Sequence, residues 1–184
     1  MSPRIQGYVR WFNAVLSLVL IVLILIHGVS GGFMLIGING STAKLLSWAT
    51  LAAALLHAAI GISFTVETLC KRINSTKYAS FNARFWAIRA SGLAILLLLS
   101  AHIGIFGIVR SGQFVLYEFT TLKLVLNFLL AAALAIHLLA ALRPMLVALG
   151  FYPWLKIAPA ALMFLAIILL FFTSAIVIYY IMWI

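Results

Sequence analysis

The chain has 184 residues, 67% hydrophobic and only 8% charged, and a mean hydropathy of +1.28. This is far from the composition of a soluble domain and places the chain in a membrane. Glu67 and Glu118 are the only acids and Asp is absent, which excludes the paired-carboxylate chemistry of glycosidases and aspartic proteases. The net charge of +10 comes from bases lying between apolar runs, where they set topology and meet anionic headgroups; it argues for membrane lipid as a partner and against nucleic acid.

The first apolar run, about 11–37, follows Arg4 and Arg10. It is too long for the core of a secretory signal and shows no small-residue cleavage pattern, so it reads as a retained helix. Further runs follow at about 45–66, 86–109, 122–148 and 157–184. Each has at least about 20 residues, enough to cross a hydrocarbon core of about 30 Å at about 1.5 Å per residue. The predicted fold is all-α, a five-span transmembrane helix bundle forming a single integral-membrane domain over 1–184.

Arg4, Arg10, Lys71, Arg72, Lys77, Arg84, Arg89, Arg143 and Lys156 fall on one side of these spans, and Lys44, Arg110 and Lys123 on the other. The positive-inside rule then puts the N-terminus in the cytoplasm and the C-terminus outside. Trp11, Trp86, Tyr152 and Trp154 fall near the inner surface and Trp48, Tyr117, Tyr179, Tyr180 and Trp183 near the outer one, as interfacial aromatic belts would. The polar connection "ETLCKRINSTKYASFNARF" lies inside and is basic; it suits the docking of a soluble partner as well as contact with headgroups. Asn39-Gly40-Ser41 and Asn74-Ser75-Thr76 match the glycosylation acceptor pattern, a chance-prone match given no weight.

Four histidines, His27, His57, His102 and His137, sit one in each of the first four spans. An ionisable side chain at membrane depth is costly and marks a candidate functional site; the alternative is a neutral imidazole hydrogen-bonded across a helix interface. His27 and His102 each follow a tryptophan at the inner end, Trp11 and Trp86, by 16 residues, which sets both about 24 Å from the inner surface. His57 and His137 run towards that surface and end about 9 to 15 Å from it. Two pairs at two depths are what bis-histidine ligation of two haems b requires, one imidazole on each side of each porphyrin. The lone Cys70 can make no internal disulfide, and no C-x-x-C-H motif is present, so any haem is held non-covalently.

Small residues follow each histidine: Gly31, Gly61, Gly104 with Gly107, and Ala141. On a shared helix face they would leave room for a flat macrocycle, or simply let helices approach. Arg89 and Arg143 near the inner end and Arg110 and Lys123 near the outer end are candidate propionate partners, with snorkelling to headgroups as the alternative. "LAAALLHAAIGI" and "LAAALAIHLLAAL" are similar, as related helix pairs or as Leu/Ala coincidence. The fifth span has no histidine and completes the bundle.

"WAIRASGLAILLLLSAHIG" resembles the R-x-S-G helix opening of the cytochrome b anchors of succinate dehydrogenases and fumarate reductases, and "HLLAALRPMLVALGF" resembles their H-x-x-x-G-x-R segment. The five-span, four-histidine layout is similar to the two-haem members of that family. Ile88 stands where a His commonly precedes the Arg, and Ala141 replaces the motif's Gly. The resemblance implies a bacterial or archaeal cytoplasmic membrane, a flavoprotein and an iron-sulfur subunit on the cytoplasmic face, and a quinone, expected to be menaquinone, as substrate. This chain would be the quinone-reactive subunit, with no dicarboxylate chemistry of its own. By the family's pattern, His27 and His102 hold the outer haem and His57 and His137 the inner.

Single-haem relatives place quinone near the positions of Arg89 and Ser91, whereas two-haem members place it by the outer haem. There, Glu118 with Tyr117 is the acidic candidate for proton transfer. Alternatives are the cytochrome b subunit of a nitrate reductase or hydrogenase, which typically puts two ligands on one helix, and a non-haem transporter or structural membrane protein. A homo-oligomeric complex is a further alternative left open.

Overall fold

The computed structural model describes residues 3–36, 43–72, 83–110, 113–156 and 158–182. Five helices account for most of them: α1 Pro3–Leu35, α2 Ala43–Arg72, α3 Ala83–His102, α4 Thr121–Ala148 and α5 Ala158–Ile181. All five are long and apolar enough to cross a membrane. In hydrocarbon every backbone N–H and C=O must find an internal partner, and a continuous helix provides that within one segment. The bundle is all-helical apart from a short antiparallel hairpin, β1 Gly107–Arg110 and β2 Gln113–Leu116, with Gly107 opposite Leu116 and Arg110 opposite Gln113.

Three boundaries differ from the hydropathy reading. α1 begins at Pro3 and α2 runs on to Arg72, so part of the polar connection expected to be loop is helical; its centre, 73–82 with Lys77, lies outside the described residues, as do 39–41 and Trp183. The third difference bears on the site. The third apolar run continues to 109, but α3 stops at His102. Gly104 takes φ +72°, the left-handed conformation that terminates a helix and that glycine adopts without Cβ strain. The chain then leaves as the hairpin, and Tyr117 N–H donates to Phe106 O at 2.8 Å. Gly104 and Gly107 therefore do not share a helical face with His102, contrary to the expectation that they leave room beside it.

α4 carries clear end signals. Its N-cap Thr120 side chain accepts from Lys123 N–H, and at the other end Gly150 takes φ +76°. Phe151 N–H donates to Leu146 O at 2.9 Å and Gly150 N–H to Val147 O at 3.1 Å, the paired bonds of a Schellman termination.

α1 packs along α2 and α3 along α4, while α5 braces α1 and α4. α2 and α3 touch only lightly, so two antiparallel helix pairs face each other across a loosely packed seam. α1 meets α5 through glycine: a Cβ on Gly28 would fall 2.2 Å from the Phe172 ring, and one on Gly32 2.8 Å from Phe171. Close approach at small residues is how helices associate where lipid is as apolar as leucine. One buried cluster, Ala14, Leu142 and Met145, ties α1 to α4. The other, Leu35, Phe119 and Tyr179, ties the end of α1, the segment after the hairpin, and α5. Tyr179, expected at the outer interface, is 1% exposed and donates its hydroxyl proton to Tyr117 O; it is core, whereas Trp11, Trp48, Trp86, Tyr117 and Tyr152 are exposed.

Candidate functional site: two histidine pairs between the helix pairs

The four histidines meet in twos across the seam. The His27 and His102 rings, from α1 and α3, have centroids 6.4 Å apart with planes at 77°. The His57 and His137 rings, from α2 and α4, lie 6.2 Å apart with planes at 90°. Among the described residues no three or more His, Cys, Asp or Glu side chains gather into a metal cluster, so the imidazoles act as pairs.

Every Nδ1 is engaged by a side chain from the adjacent antiparallel helix. Ser47 Oγ on α2 lies 3.2 Å from His27 Nδ1, and Ser17 Oγ on α1 lies 3.3 Å from His57 Nδ1. Ser91 Oγ on α3 lies 3.1 Å from His137 Nδ1, and Asn127 Oδ1 on α4 lies 2.8 Å from His102 Nδ1. Within each pair the exchange is reciprocal.

The partners' other bonds settle the tautomer at three positions. Ser17 donates its hydroxyl proton to Asn13 O at 2.7 Å, leaving its oxygen to accept from His57 Nδ1–H. Asn127 donates from Nδ2 to Lys123 O at 2.7 Å, which turns Oδ1 towards His102. His137 Nδ1 also lies 3.1 Å from Ile88 O, a carbonyl that can only accept. Imidazoles held as Nδ1–H keep the Nε2 lone pair for a ligand, the arrangement typical of metal-bound histidine.

Burial points the same way. Ser91 at 6% and Asn127 at 4% exposure are the buried polar residues of the described structure, and both are histidine partners. A buried polar group is costly unless hydrogen-bonded, so these two are explained by the imidazoles they hold.

Space beside the rings is uneven. A Cβ on Gly31 or Gly61, each four residues beyond a histidine, would meet nothing within 4 Å. A Cβ on Gly92 would sit 3.4 Å from His137 Cε1. In "RASG" the serine thus accepts from His137 and the glycine makes room for its ring, while Arg89 stacks on Phe85, 3.4 Å above its centroid, and donates to Phe85 O at 3.2 Å.

The remaining candidates are spread over both ends. Arg143 and Arg110 are exposed. Lys123 Nζ donates to Glu118 O at 2.8 Å and lies 6.0 Å from the Tyr117 ring centre. Glu118 and Tyr117 follow the hairpin and are exposed; Arg89 and Ser91 belong to the opposite end of α3, so these two candidate quinone sets are not brought together. Phe106 joins the hairpin to the His102 ring, 5.4 Å away and edge-on, and stacks on Phe119 at 5.3 Å.

Ser17, Ser47 and Asn127 were not singled out from the sequence. A signal was available: a polar residue stands ten residues before His27, His57 and His137, and Ser91 stands eleven before His102. No protein-family model, curated protein or solved structure matches this chain.

Proposed function

We propose that this chain is a five-helix di-haem cytochrome b that passes electrons between a cytoplasmic flavoprotein and iron-sulfur partner, of succinate dehydrogenase or fumarate reductase type, and membrane quinone. The observation that carries this reading is the pair of facing imidazole couples, at 6.4 and 6.2 Å between ring centres. Rings at this separation would let one iron accept a nitrogen from each imidazole of a couple. A haem held there would take one imidazole from each helix pair, His27 with His102 or His57 with His137, and would supply the other iron ligands itself. The open space beside Gly31 and Gly61 and the light contact between α2 and α3 suit a flat group standing between the helix pairs.

When bound, each haem supplies a one-electron couple, ferric to ferrous, in a low-polarity setting. The chain's own residues position it: His27 and His102 as the outer couple, His57 and His137 as the inner. In this reading Arg110 and Lys123 are the outer propionate partners and Arg89 and Arg143 the inner ones; Lys123 and Arg89 would exchange their present bonds to Glu118 O and Phe85 O for that role. Quinone is assigned to the outer end. Ser91 is buried and engaged with His137, whereas the Glu118 carboxylate and the Tyr117 ring are open to a ligand, and Glu118 can accept one of the two protons that quinol oxidation releases, the other passing to water at this exposed end.

Purification from native membranes, with haem, flavin and non-haem iron counted per chain, tests the assignment. Two haems b with flavin and iron-sulfur are expected; two haems without flavin would point to a nitrate reductase or hydrogenase type of partner, and a colourless preparation would end the proposal.

A further inference from the structure

We infer that Ser17, Ser47, Ser91 and Asn127 are positioning residues that hold the imidazoles across helices, so that each helix tunes the haem its own histidine does not ligate. The inference rests on the two-haem reading. Its basis is the crossing of the bonds: α1 presents Ser17 to His57 but ligates through His27, and α2 presents Ser47 to His27 but ligates through His57. α3 and α4 repeat the scheme with Ser91 on His137 and Asn127 on His102.

The geometry explains the ten- and eleven-residue spacings. Ten residues of helix advance about 15 Å, which sets the separation of the two tiers as measured along a helix that bonds to one and carries its histidine in the other. Each helix therefore meets the first tier it reaches with a hydrogen-bonding side chain and the second with its histidine. Because paired helices run in opposite directions, the first tier of one is the second tier of its neighbour. Every imidazole then finds a hydrogen-bonding group beside it, and one bound through Nε2 would donate its Nδ1–H to that group.

The chemical consequence is directional. An acceptor on Nδ1–H pushes electron density towards Nε2, makes the imidazole a stronger donor and favours the ferric state. Loss of the acceptor should raise the midpoint potential of the haem that imidazole binds. The other haem, held by histidines whose acceptors are intact, should not move.

Potentiometric titration of the purified full-length chain with its partner subunits tests this in Ser17→Ala, Ser47→Ala and the corresponding Ser→Thr variants. The signal lost in His102→Ala identifies the haem bound by His27 and His102. Ser17→Ala is expected to raise the midpoint of the haem held by His57 and His137, and Ser47→Ala that of the haem held by His27 and His102. Threonine at either position restores the wild-type value. Selective loss of the same haem is the stronger form of the expected result. A shift in the haem ligated from the substituted helix, an equal shift in both, or no shift overturns the inference while leaving the haem assignment intact. A wild-type chain that binds no haem overturns the assignment itself.

Discussion

His102 and Asn127 are joined at 2.8 Å between Nδ1 and Oδ1, and the same asparagine is anchored by its amide nitrogen to Lys123 O. His102 is the last residue of α3, without a following helical turn to steady its ring, so a side-chain amide fixed to α4 does that work. Asn127→Leu keeps the branching and heavy-atom count of the side chain and removes the acceptor. Loss of such a partner typically weakens metal affinity about 10- to 100-fold. If the chain holds two haems as proposed, the variant should lose the one at the His27–His102 couple on dilution or detergent washing and keep the other, so that the haem-to-chain ratio falls from two towards one. Retention of both haems, or loss of the His57–His137 haem first, would contradict this.

Gly92 tests the second couple by crowding. Alanine there would bring its Cβ to 3.4 Å from His137 Cε1 and 3.6 Å from Nδ1, close van der Waals contact that leaves the ring less room to turn. Helix propensity favours alanine over glycine by about 1 kcal/mol, so the thermal midpoint should hold or rise. The optical band of the His57–His137 haem should shift or broaden while the other stays put. A band unchanged in both haems would show that the His137 ring has slack.

The ring planes make a spectroscopic prediction. The planes stand at 77° in one couple and 90° in the other. Parallel axial imidazoles split the two iron orbitals that point along the ring π systems; perpendicular ones interact with both equally and leave them nearly degenerate. If each couple holds a haem as proposed, the ferric forms should therefore give highly anisotropic low-spin signals with one dominant low-field feature in electron paramagnetic resonance. Ordinary rhombic low-spin spectra would mean that the rings rotate towards parallel when the group is bound.

Hydropathy was enough to read five helices, because a continuous apolar run of this length has few other outcomes. Equal Trp-to-His spacing in outward helices put His27 level with His102, and the structure brings those rings together; the same holds for His57 and His137. What escaped notice lies between helices. Small residues at four-residue spacing lie on a histidine's own helix, whereas its hydrogen-bond partner lies on the antiparallel neighbour, ten or eleven positions before that neighbour's own histidine. The end of α3 was hidden for a different reason: 103–109 is as apolar as the helix before it, and only the left-handed Gly104 stops the helix. Tyr179 was placed at the interface because a tyrosine near a span end usually is, yet its ring packs on Phe119 at 5.1 Å.

The helix without a histidine has a structural role that can be separated from the histidine couples. α5 braces α1 and α4, and its contact with α1 depends on Gly28, where an added Cβ would fall 2.2 Å from the Phe172 ring. A contact that short cannot be absorbed without moving the ring or the helix, and overpacking of this kind costs about 1 to 3 kcal/mol. Gly28→Ala should lower the thermal midpoint in detergent. His27 is the preceding residue, about 100° away around the helix, and faces His102 instead of α5, so the haem spectra should survive below the transition. Phe172→Leu removes the ring that clashes, and the double variant should recover most of the loss in Gly28→Ala. Additive destabilisation in the double variant would place the strain elsewhere along α1.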